Sequence, residues 1–95
     1  MKGTILVSEA FREIVESCAE EFGVKTVWLF GSALEDEERA RDYDLAVEGI
    51  EPAKFFKFYS KLYFSLSKPV DLVDMSLDPP IAFIVRDQGV RIYER

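Results

Sequence analysis

A Gly31-Ser32 pair and an Asp42-Tyr43-Asp44 tripeptide, separated by nine residues, are the positions in this 95-residue chain whose types and spacing could do chemistry. Residues i and i+2 of a β-strand project from one face, so a strand through Asp42 and Asp44 presents adjacent carboxylates while Tyr43 points into the opposite layer. Two such charges about 5 Å apart repel by about 3 kcal/mol at an effective dielectric of about 20, so they need a cation. Oxygen-only donors suit a hard ion such as magnesium, which keeps several waters and takes its remaining ligands from substrate phosphates. A third carboxylate from a neighbouring strand lets two ions clamp a reacting phosphorus centre, one activating the incoming oxygen and the other stabilising a leaving pyrophosphate. Gly31-Ser32 complements the acids: a glycine lets backbone approach a phosphate closely, and N–H groups at the start of a helical turn, beside a serine hydroxyl, make a neutral cradle for triphosphate oxygens.

Periodicity supplies the elements that must hold these groups. Ser8 is a fitting N-cap for an amphipathic helix with Phe11, Ile14, Val15, Cys18, Ala19 and Phe22 on its apolar face, stopped by Gly23. Val24 to Phe30 is β-branched and aromatic, bounded by glycines, and reads as a buried strand ending at Gly31. Residues 32–41 form a charged connection that begins with a short helical turn and reads as a solvated loop. Asp42 to Glu48 alternates a polar face (Asp42, Asp44, Ala46, Glu48) with a packed one (Tyr43, Leu45, Val47). Pro52 suits the first turn of a helix reaching Ser67, with Phe55, Phe56, Tyr59, Leu62, Tyr63 and Leu66 on a broad apolar stripe. Phe58 and Phe64 widen that stripe beyond what one small core needs, which leaves part of it for a protein-binding face. Val70 to Met75 reads as a third strand, Ile81 to Asp87 as a short helix after the Asp78-Pro79-Pro80 turn, and Val90 to Tyr93 as a last strand. The order predicts one α/β (α+β) domain over residues 1–95, a small mixed β-sheet flanked by helices.

Composition narrows the chemistry. With 12 basic against 18 acidic residues, the chain lacks the positive field that generic nucleic-acid binding requires. Its single cysteine, Cys18, cannot form an intrachain disulfide, and it falls on the apolar helix face as a small core hydrophobe. Histidine is absent, so acid–base and metal work falls to carboxylates. Neither a signal peptide nor a membrane-spanning run is evident, and a cytoplasmic location is expected. A second substrate-binding domain does not fit this length, so any acceptor binds the small domain itself or is a partner.

Val27-Trp28-Leu29-Phe30-Gly31-Ser32, then Asp42-Tyr43-Asp44-Leu45, then Val70-Asp71-Leu72 closely resembles the minimal nucleotidyltransferases of the polymerase-β superfamily. Their signature is a hydrophobic strand, Gly-Ser, a spacer of about ten residues, an Asp-x-Asp strand and a third acid between hydrophobics. The resemblance spans essentially the whole chain and implies the polymerase-β-like nucleotidyltransferase fold. It implies Asp42, Asp44 and Asp71 as catalytic and metal-binding residues for two magnesium ions, with Gly31 and Ser32 binding the nucleotide. Val73-Asp74-Met75 also fits the hydrophobic-acid-hydrophobic pattern, on the opposite side of the strand; Asp71 sits at the family's usual position. Two positions depart from the family: Ala33 stands where an arginine commonly follows Gly-Ser, and Arg41 where a serine commonly precedes the first aspartate. Arg39 and Arg41 are the candidates to replace the missing cation.

The resemblance implies transfer of AMP from ATP to a hydroxyl, with pyrophosphate released. Stand-alone domains of this kind typically act as the antitoxin of a pair, modifying a tyrosine of a helical HEPN-type toxin, in homo- or hetero-oligomers. The alternative is an inactive module of the same fold that masks its toxin sterically through the Phe55–Phe64 aromatic surplus. Transfer to a small molecule or an RNA end usually needs a further domain and, for RNA, a basic surface.

Overall fold

The computed structural model describes residues 7–95, so residues 1–6 of the expected domain span lie outside the described residues. Helix α1 (Glu9–Glu21) begins where the Ser8 hydroxyl accepts the Phe11 N–H at 3.2 Å, and it buries Phe11, Val15, Cys18 and Ala19. The helix ends at Phe22, and Gly23 follows in the left-handed region at φ +67°, a position glycine occupies without a Cβ penalty. Strand β1 (Thr26–Phe30) then runs through the centre of the sheet with all five residues buried.

A one-turn helix α2 (Ser32–Glu35) and a loop lead into β2 (Tyr43–Glu48), which lies antiparallel to β1. After a short 3-10 turn at Pro52–Lys54, helix α3 (Phe55–Ser65) crosses over to β3 (Val70–Asp74), parallel to β2. Helix α4 (Ala82–Gln88) returns the chain to β4 (Val90–Glu94), which pairs antiparallel with the free side of β1. The four-stranded order is β3-β2-β1-β4, a mixed sheet as the element pattern predicts.

Each sheet face has its own apolar cluster. On one, α1 and α3 pack Phe11, Val15, Phe58 and Leu62 onto Tyr43, Leu45 and Val47. On the other, Ala82 and Val85 of α4 cover Trp28, Phe30 and Ala46. The face of β2 expected to be polar is interrupted in its middle: Ala46 is fully buried beneath Met75 and α4, between half-buried Asp44 and Glu48. A second correction concerns α3, where Phe58 is fully buried while Phe56 and Phe64 are 76% and 86% exposed. The helix is apolar nearly all round, so periodicity left its phase open, and packing against α1 and the sheet selected the Phe58-Leu62 side.

The 32–41 connection is not simply a solvated loop. The Glu37 carboxylate accepts the Ser8 N–H at 2.5 Å, the Ser8 hydroxyl at 2.9 Å and the Tyr43 hydroxyl at 2.6 Å, tying the start of α1 to the start of β2. Lys68 donates to three carbonyls of the same loop, those of Glu37, Glu38 (3.3 Å) and Ala40 (2.7 Å). Partial burial works to raise the Glu37 pKa, but the bonds from Tyr43 and Ser8 and the charge of Lys68 outweigh it and hold the carboxyl below its ordinary value. Burial first, and the Glu37 bond second, push the Tyr43 phenol up to about 12.

A depressed carboxyl stabilises the fold above its unfolded pKa and loses that contribution as pH falls through the folded value. Glu37→Gln should therefore cost about 1 kcal/mol at pH 7, the scale of a partly exposed charge-assisted bond, and the gap to the parent should close below about pH 4. Urea unfolding at the two pH values measures both.

Candidate active site

Parallel pairing of β2 with β3 sets Asp44 opposite Asp71, and Asp42 sits just before β2. One carboxylate oxygen from each of the three lies within 4.8 Å of the others. Asp42 and Asp44 are half-buried and Asp71 is exposed, so the cluster opens outward from the sheet. Strand alternation anticipates Asp42 and Asp44 on one face, and the family resemblance anticipates Asp71 as the third acid. Asp74 stands apart from it: its carboxylate accepts the Ser76 N–H at 3.0 Å and the Ser76 hydroxyl at 2.7 Å, capping the 3-10 turn Met75–Leu77.

Gly31 is built against this cluster. Phe30 pairs with Asp44 across β1 and β2, so the next residue turns directly beside the Asp44 carboxylate. Its backbone is left-handed, at φ +76° and ψ −158°, and an added Cβ would collide with Asp44 Oδ2. Ser32 then opens α2. Ala33, where a cation was the family expectation, is buried in the apolar cluster beneath that turn. The two arginines proposed to replace it, Arg39 and Arg41, share a cleft of about 410 Å³ with Ser32 and one triad member, Asp42, and with the carboxylates of Glu35 and Asp36. Arg39 also reaches Asp36 at 3.7 Å from a side chain that is 90% exposed.

Burial raises the pKa of Asp44 above its ordinary value, and the neighbouring charges of Asp42 and Asp71 add to the shift. Three crowded carboxylates form an all-oxygen donor set, which fits a hard divalent cation whose charge offsets their repulsion. A triphosphate can approach such an acidic cluster only with that charge neutralised.

Glu37 and Lys68 are the residues that sequence reasoning missed. They touch no part of the triad, yet they fix the loop that carries the chain from Ser32 to Asp42. No local pattern marks them, because Lys68 lies about thirty residues from the carbonyls that it binds.

A raised carboxyl pKa penalises the fold above that pKa and costs nothing once both states are protonated. Asp44→Asn should accordingly raise the stability of the metal-free protein by about 1 kcal/mol at pH 7 and leave it unchanged near pH 3, measured by chemical denaturation. Gly31→Ala should do the reverse, losing about 2 kcal/mol or more to the left-handed backbone and the displaced Asp44, read as a fall in melting temperature.

A family model described as polymerase beta, nucleotidyltransferase, matches residues 12–95. Among solved structures, a toxin–antitoxin with AMP-PNP superposes at a TM-score of 0.67 and 20% identity, over 88% of this chain and 73% of that one. An MntA–HepT toxin–antitoxin superposes at 0.67 and 19% identity, over 93% and 74%. A complex of a tri-AMPylated Shewanella oneidensis HEPN toxin with MNT antitoxin gives 0.57 and 21% identity, over 88% and 73%. At these identities the likeness is one of fold. Comparison with curated proteins gives no match.

Proposed function

The chain belongs to the polymerase beta nucleotidyltransferase family, and from that premise we propose that it transfers AMP from ATP to a hydroxyl of a partner protein, releasing pyrophosphate. The observation that carries this reading is the convergence of Asp42, Asp44 and Asp71 beside the Gly31 turn. A protein acceptor is supported by the fold shared with an antitoxin found beside an AMPylated HEPN toxin, and we name a tyrosine of such a toxin as the acceptor.

Asp42, Asp44 and Asp71 would hold two magnesium ions, which supply charge neutralisation for the triphosphate and polarise the phosphorus that is attacked. The Gly31 backbone and the Ser32 hydroxyl bind triphosphate oxygens, and Arg39 and Arg41 contribute positive charge along the adjoining cleft. Asp71, the exposed member, accepts the proton of the acceptor hydroxyl. The new oxygen–phosphorus bond forms at the α-phosphorus as the bond to the β-phosphate bridging oxygen breaks, and pyrophosphate leaves with that electron pair. Half-buried Asp42 and Asp44 keep their positions through the reaction because Tyr43, between them, is locked in the core. In the cell this makes the protein an antitoxin acting in the cytoplasm.

The test is incubation with α-labelled ATP, magnesium and a helical HEPN-type toxin as the acceptor. Label should appear on the partner, and Asp42→Asn, Asp44→Asn or Asp71→Asn should each lower the rate by about a hundredfold or more, exceeding the loss of an outer-shell group. Asp74→Asn, which alters only a turn cap, should stay within about twofold of the parent. If the partner bound and its activity were suppressed equally by the parent and Asp44→Asn with no label transferred, the chain would be a steric module instead.

A further inference from the structure

Helix α3 has a second apolar face that the fold does not use. Phe58 and Leu62 fill the core, while Phe56 and Phe64, on the other side, stand 76% and 86% exposed with Tyr63 at 45%. Phe56, Ser60 and Phe64 recur at four-residue spacing, so they form one stripe, and with Phe22 they line a shallow groove of about 480 Å³. Exposed aromatic surface of this kind marks an interaction site more often than an accident of composition.

Charge says what covers it. Lys57 and Lys61 line the groove on a helix, Phe55–Ser65, that carries no acidic residue in a chain whose net charge is −6; Lys61 faces Glu21 of α1 at 3.6 Å, and Lys57 is the exposed cation left for a partner's carboxylate. A second copy satisfies only half of these requirements. Pairing α3 with another α3 would set four lysines into one interface with only the two Glu21 carboxylates, each already facing a Lys61, to meet them. Pairing it with the outward face of α1 would supply the glutamates Glu9, Glu13, Glu16 and Glu20 but no large apolar side chain to meet Phe56 and Phe64. An anionic membrane is disfavoured by the net charge of the whole chain, which two lysines do not overcome.

We propose that the outward face of α3 is where the acceptor protein docks, and that the acceptor meets it with apolar side chains bordered by carboxylates. This rests on the reading that the acceptor is a protein. Helix α3 packs on the sheet face that bears Tyr43 and Leu45, whereas Asp44 and Asp71 open on the other. Docking and chemistry are thus on opposite sides of the sheet, and the modified hydroxyl is carried on an arm or a second subunit of the acceptor that passes the sheet edge.

The experiment is titration calorimetry of the HEPN-type partner against the parent chain, Phe56→Ser/Phe64→Ser, Lys57→Glu and Asp44→Asn, with label transfer followed in parallel. The exposed positions of Phe56, Phe64 and Lys57 leave the fold intact, which an unchanged melting temperature verifies. The double phenylalanine variant should bind at least about tenfold more weakly and Lys57→Glu about threefold or more, while Asp44→Asn binds like the parent. Transfer by the double variant should show a raised KM for the partner with kcat retained. Unchanged affinity and KM in that variant would overturn the docking site and leave the transferase standing. Lost affinity with no label transferred by any version would uphold the docking site and defeat the transferase. A parent chain that is dimeric by light scattering and monomeric as Phe64→Ser would assign the face to a second copy and overturn the proposal. Flotation of the parent, but not the variant, with phosphatidylglycerol vesicles would assign it to a membrane and do the same.

Discussion

Everything at the acidic site depends on where Tyr43 is held. It lies between the two aspartates of one strand, so its burial on one side of the sheet dictates that Asp42 and Asp44 emerge together on the other. Its ring stacks on Phe11 with centroids 4.3 Å apart, Lys68 lies over it at 5.8 Å, and its hydroxyl ends on Glu37. Burying an aromatic ring of this size contributes about 2 kcal/mol or more, comparable with the repulsion between close carboxylates. The strain of crowding like charges is thus offset by apolar packing behind them, and the site is assembled before any cation arrives.

The same arrangement divides the molecule into two halves with different physical duties. The layer formed by α1 and α3 supplies most of the hydrophobic core, and the opposite face, where α4 covers only part of the sheet, leaves the leading ends of β2 and β3 open to solvent. Net negative charge is concentrated on α1 and around the triad, and α3 is the one helix among the described residues with lysines and no acid. A carboxylate-bearing protein would accordingly favour α3 over α1 and the acidic end of the sheet.

What the sequence disclosed was whatever depended on short-range alternation or on a motif. Asp42 and Asp44 on one face, Ser8 as a cap, Gly23 as a stop and Cys18 as a core residue all follow from neighbours a few positions away. Asp71 could be distinguished from Asp74 only by family position until strand pairing set Asp71 against Asp44 and left Asp74 to cap a turn. Long-range contacts were invisible: Lys68 clasping the 37–40 loop and Ala46 covered by Met75 and α4 each join segments far apart in the chain, whereas Gly31 beside Asp44 was expected and only the closeness of the approach was not. The rotation of α3 escaped for a different reason, since a helix with aromatics on every side gives periodicity nothing to choose between, and Phe58 rather than Phe56 turned inward.

The in-register pairing of Asp44 with Asp71 makes the site a matter of parity. Side chains alternate along a strand, so inserting one residue between Val70 and Asp71 would turn the third carboxylate to the helix side and abolish the cluster, whereas lengthening the 66–69 connection would leave it untouched. The outward side of the helical layer, where Phe56 and Phe64 stand exposed, carries no such constraint of count, while its inward side must keep the apolar groups that hold Tyr43. Contact with a partner and assembly of the acidic cluster are thus governed by different constraints, one of surface and one of register.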